Sequence, residues 1–130
     1  MRFFLLLALA PMLFVSCEQE EGPGGTSSIV GRVWVVDYNS NFTRINGEYW
    51  GEDERVFLMY GNDTIYSKKF DTDYAGCYRF DYLTKGDYTL YVLSKDSANP
   101  SSTQKVPVFQ KVKITKNNQE VKVPTIKIFD

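Results

Sequence analysis

From Ser28 to the end of the chain, apolar residues recur with a period of two in short runs, and turn residues interrupt them before any helical period develops. A chain patterned this way is typical of an antiparallel sandwich, in which each run has one apolar face that a second layer must cover. Seven runs are legible, at about 28–38, 55–60, 64–71, 77–83, 87–94, 105–115 and 119–129. Gly61-Asn62-Asp63, Lys85-Gly86-Asp87 and Lys116-Asn117-Asn118 have the composition of hairpin turns. In the sixth run Val106, Val108, Val112 and Ile114 share one side, while Lys105, Lys111 and Lys113 share the other, where they discourage edge-to-edge pairing. In the seventh the apolar phase changes between Val121, Val123 and Ile126, Ile128, so Pro124 predicts a bulge or bend. The fold expected is an all-β, seven-stranded antiparallel sandwich of the Ig-like or transthyretin-like (prealbumin-like) kind over residues 28–130.

The first 27 residues have a different character. Phe3 to Val15 is an apolar run of thirteen behind Arg2, too short to span hydrocarbon and of the length of a signal-peptide apolar region. Phe14-Val15-Ser16-Cys17 resembles the bacterial lipobox, departing from it at Phe14, where leucine is usual. The resemblance implies that residues 1–16 are a lipoprotein signal peptide and that Cys17 is lipidated. Acyl chains contribute about 0.8 kcal/mol per buried CH₂, enough together to hold a chain on a membrane without a spanning helix. The acidic residues Glu18, Glu20 and Glu21 resemble the export signal that sends lipoproteins of one group of Gram-negative bacteria to the cell surface. They otherwise serve as solvated charges. The expected location is the outer membrane, facing outward. Residues 17–27, with three glycines and one proline between 22 and 28, read as a flexible tether.

Thr72-Asp73-Tyr74-Ala75-Gly76-Cys77-Tyr78-Arg79-Phe80, continued through Leu83, Gly86, Tyr88 and Leu90, resembles the carboxypeptidase regulatory-like family, as does Ile29-Val30-Gly31-Arg32-Val33. The resemblance implies a prealbumin-like sandwich acting as a noncatalytic scaffold or binding module, with Tyr78, Phe80, Tyr88 and Leu90 in one core. The chain departs from that family between Asn39 and Glu54, where a longer aromatic and acidic segment replaces a short turn. Partner-specific function is expected there.

Composition narrows the chemistry. Fifteen Lys and Arg against sixteen Asp and Glu leave no basic field for nucleic acid, and loss of Arg2 with the signal leaves fourteen against sixteen. No histidine is present, which removes the commonest general base and metal ligand, and no cofactor or enzymatic activity is expected. Glu52, Asp53, Glu54, Asp71 and Asp73 could offer oxygens to calcium but lack EF-hand spacing, so they read as solvated turn charges and no metal site is assigned. With Cys17 acylated, Cys77 is a single thiol at a turn.

A second apolar set faces away from the expected core: Trp34, Val36 and Tyr38, then Phe57 and Met59, then Tyr91 and Leu93. Residues 39–54 are expected to cover it; left open, it would meet a partner. The candidate binding residues are Trp34, Phe42, Tyr49 and Trp50. Two function classes follow: a lipid-anchored envelope module that binds a protein or serves assembly, and a small carbohydrate-binding accessory lipoprotein of a glycan-utilisation system.

Overall fold

The computed structural model describes residues 21–130. Nine strands follow in order: β1 Pro23–Tyr38, β2 Ile45–Trp50, β3 Arg55–Tyr60, β4 Lys68–Asp71, β5 Cys77–Leu83, β6 Gly86–Lys95, β7 Lys105–Ile114, β8 Glu120–Lys122 and β9 Ile126–Phe129. They form a five-stranded and a four-stranded sheet, and no helix occurs among the described residues. The all-β sandwich expected from the alternation is present.

Sheet one is built around β1, which pairs antiparallel with β5 and then with β2, and parallel with β8 and then β9. Sheet two runs β4-β3-β6-β7 and is antiparallel throughout. Alternation decides what each strand buries. Ile29, Val33 and Val35 of β1 meet Tyr78 and Phe80 of β5, Leu58 of β3, Leu90 and Val92 of β6, and Ile126 and Ile128 of β9 in a single core. Tyr78, Phe80, Tyr88 and Leu90 are all buried there, as the family spacing implied. The ring of Tyr78 ends against the Cα of Gly31, where any side chain would collide with its hydroxyl. That hydroxyl is buried with no hydrogen-bond partner among the described residues, and burial pushes the phenol pKa up.

Several expectations need correction. Sheet one is mixed rather than antiparallel, because alternation encodes which face a residue takes and not the direction of its neighbour. The last run is divided at Val123–Thr125 into β8 and β9, both on the same side of β1. Residues 39–54 are not one loop, since six of them form β2 on the edge of sheet one. The tether is shorter than residues 17–27: β1 starts at Pro23, and Pro23 and Ser27 both face Leu83 across an irregularity that holds Gly25 tightly against the Leu83 carbonyl.

Candidate functional site

The outward side chains of β1 are Arg32, Trp34, Val36 and Tyr38, and β2 brings Trp50 directly opposite Trp34. The two indoles meet edge to face at 4.8 Å and 81°. The Arg32 guanidinium lies 3.3 Å from the centre of the Trp50 ring, an attraction between cation and ring quadrupole. Its position is fixed from the other side, because Nε and Nη2 both donate to the Ala75 carbonyl, at 3.1 and 2.9 Å. Trp34 Nε1 donates to Glu48 Oε1 at 3.3 Å. A cation, two indoles and a carboxylate are thus locked into one surface array.

Further along the strand, Tyr38, Phe42 and Phe129 form a second group, with ring centres 5.1 to 6.1 Å apart. Phe42 reaches it from a tight loop in which the Asn39 side chain accepts from the backbone N–H groups of Thr43 and Arg44. Phe42 itself takes a φ of 54°, uncommon for a residue with a side chain. Val36, between the two groups, is fully buried.

Trp34, Phe42 and Trp50 therefore belong to one surface, and Tyr49 does not. Tyr49 pairs with Val35, whose side chain is in the core, so it points to the other face of the edge strand, where it is 45% exposed. Burial first, then the carboxylates of Asp130, Asp37 and Glu54, raise its pKa. Arg32 and Glu48 were not singled out from the sequence. Arg32 was legible as the residue two before Trp34 on the same strand face; Glu48 needed β2 to be recognised. Cys17, Glu18 and Glu20 lie outside the described residues. Glu21, the one member of the acidic cluster within the described residues, accepts a hydrogen bond from Asp87 N at 3.4 Å and lies over Gly61 and Gly86.

The outward apolar set is not one face. Phe57, Met59, Tyr91 and Leu93 belong to sheet two and lie on the opposite side of the molecule from Trp34. Their cover comes from Tyr66 and Phe109, which flank the stacked pair Phe57 and Tyr91, whose ring centres are 4.7 Å apart at 16°. The rings that residues 39–54 contribute to outward apolar packing, Phe42 and Trp50, meet Tyr38, Phe129 and Trp34 of sheet one.

A cleft of about 500 Å³ adjoins the Arg32 array, lined among others by Val30, Arg32, Cys77, Arg79, Lys122 and Thr125. Arg79 is tied to Asp81 at 2.6 Å and to Glu120 at 3.0 Å. Two of the acidic residues that could have offered oxygens to calcium have other partners: Asp71 pairs with Arg55 at 3.1 Å, and Asp73 accepts from the N–H groups of Ala75 and Cys77 within its own turn. No cluster of metal-ligating side chains occurs among the described residues.

No family model and no curated protein matches the chain. Among solved structures it is similar to PA1324 of Pseudomonas aeruginosa, a proposed carbohydrate-binding protein, with 14% identity and a TM-score of 0.49 over 84% of this chain and 91% of that one. At that distance neither a family nor a ligand carries over.

Proposed function

We propose that this protein is a noncatalytic, lipid-anchored module of the cell envelope that binds a protein partner through the outer face of sheet one. The observation that carries the reading is the locked array of Arg32, Trp50, Trp34 and Glu48. Trp, Tyr and Arg are the residues that dominate interface energetics, and rings already held in place lose little entropy on binding. Beside the array, β2 has no strand on its outer edge among the described residues, so its backbone groups are open to an added strand, a common way to bind extended peptide. The anchor at Cys17, the outer-membrane location and the surface-export role of Glu18, Glu20 and Glu21 rest on the sequence resemblances. So does membership of the carboxypeptidase regulatory-like family, supported by the burial of Tyr78, Phe80, Tyr88 and Leu90 at the spacing that family uses.

A carbohydrate ligand is the second reading, favoured by the carboxylate of Glu48 beside the indoles, which combines ring stacking with an acceptor for hydroxyl groups. One experiment separates the two. A photo-crosslinking residue at Glu48 in living cells is expected to give a protein adduct of discrete mass, and one at Lys69 on sheet two is expected to give none. Adducts from both positions alike, or from neither, count against a protein partner; a glycan array bound by the wild type and not by Trp34→Ala would establish the second reading.

A further inference from the structure

The chain enters the sandwich at one end and is fastened there at once. Gly22 N donates to the Tyr88 hydroxyl at 3.0 Å, that hydroxyl donates to the Thr84 carbonyl at 2.8 Å, and Thr84 N donates back to the Gly22 carbonyl at 3.0 Å. Gly22, Thr84 and the Tyr88 side chain are all buried. Glu21 is held over the two neighbouring turns through Asp87 N. Only residues 18, 19 and 20 separate Cys17 from this fastening. Four Cα-to-Cα steps reach at most about 14 Å, so the leash is far too short for the domain to tumble over a membrane.

From this we infer that the sandwich stands on the lipid surface with its 60–66, 82–88 and 113–119 end facing the headgroups and its 39–44 and 96–104 end facing away. The inference rests on the lipid anchor at Cys17 proposed above. Two features of the lower end suit a headgroup layer. Ile65 and Tyr82 are 76% and 73% exposed, among the least covered large apolar side chains of the described residues. Tyr82 is also held outward at a φ of 59°, a backbone conformation that a residue with a side chain adopts only under constraint. Tyrosine, with an apolar ring and a polar tip, is suited to the membrane interface. The far end is about 33 Å away, from the rise of β1 between residues 28 and 38, and the binding face of sheet one is then presented sideways.

The test uses the full chain, exported and processed, in a Cys77→Ser background so that a single added cysteine takes a fluorophore. Lys85→Cys marks the lower end and Asn41→Cys the far end. In vesicles containing headgroup spin-labelled lipid, the Lys85→Cys probe is expected to be quenched several-fold more strongly than the Asn41→Cys probe. A Gly-Ser insertion of roughly ten residues before Glu21 should bring the two together, because a flexible leash of that length lets the domain turn. Equal quenching without the insertion, on protein whose intact mass shows acylated Cys17, overturns the orientation and leaves the anchor standing. An unacylated Cys17 by mass overturns both, and the two failures are told apart by the mass alone.

Discussion

The two outer faces of the sandwich are both aromatic, and they use their rings differently. On sheet two, Phe57 stacks on Tyr91, and Tyr66 and Phe109 meet that pair tilted and edge-on, with no charged side chain bonded to these rings among the described residues, which is packing extended onto the surface. On sheet one, the rings are interleaved with Arg32 and Glu48, and each polar group is held by a named partner. The first arrangement chiefly removes apolar area from water. The second holds hydrogen-bonding groups and ring surface in a fixed geometry that a partner can use. Aromatic content alone does not distinguish a cover from a site; what the rings share their surface with does.

The largest effect that would break the comparison is on stability. Phe57→Ala removes the centre of the sheet-two stack and is expected to lower stability by about 2–3 kcal/mol, since a half-buried phenylalanine loses somewhat less than the 3–5 kcal/mol typical of a core site. Denaturant midpoints measure it, and crosslinking from Glu48 should be unchanged. On the other face, Trp50→Ala removes the ring that both Trp34 and Arg32 contact. It should cost about 1–2 kcal/mol of stability and weaken partner binding by about 2 kcal/mol or more. Tyr49→Ala should do neither, because its side chain leaves the other side of the strand; equal loss from Tyr49→Ala and Trp50→Ala would put both in one site and contradict the pairing. Arg32→Lys keeps the charge but loses the planar fork that bonds the Ala75 carbonyl while lying on Trp50, and is expected to cost about 1 kcal/mol.

The smallest effect concerns the link between the faces. Glu54, in the crossover from β2 to β3, has its pKa raised first by burial and then by Asp130 and Asp53, against a lowering influence from Lys105. A carboxyl whose folded pKa lies above its unfolded value favours folding below the unfolded pKa, and that contribution is lost as pH rises through the folded pKa. Glu54→Gln should therefore be slightly stabilising at neutral pH, with the gain disappearing in mild acid. A gain independent of pH would assign the effect to something other than ionisation.

Most of the core was readable because its residues carry two signals at once. Tyr78, Phe80, Tyr88 and Leu90 alternate with polar residues and sit at fixed distances from Gly76 and Gly86, so period and turn agree. β2 carried neither. Ile-Asn-Gly-Glu-Tyr-Trp lies on an edge, with Ile45 and Tyr49 nearly half exposed, so burial imposes no alternation, and Asn46-Gly47 reads as a turn. The beginning of β1 was concealed in the same way. Gly24, Gly25, Thr26 and Ser27 look like linker, and their order comes from polar contacts far along the chain, such as Ser27 Oγ donating to the Lys116 carbonyl at 2.7 Å and Asn118 N donating to Thr26 Oγ1 at 2.9 Å. Of the candidate site, the three rings Trp34, Phe42 and Trp50 were legible from composition. Their separation from Tyr49 depended on knowing that Tyr49 and Trp50 are neighbours on a strand and so point to opposite faces.

The central place of β1 bears on how the molecule would carry mechanical load. A pull entering at Gly22 and leaving through whatever grips β2 runs along β1 itself, and the middle of β1, at Ser28 to Val30 and Val33 to Val36, has β8 or β9 on its other side. The rungs to β5, β8, β9 and β2 lie across that line of force, so they are strained together in shear rather than opened one after another like a zipper.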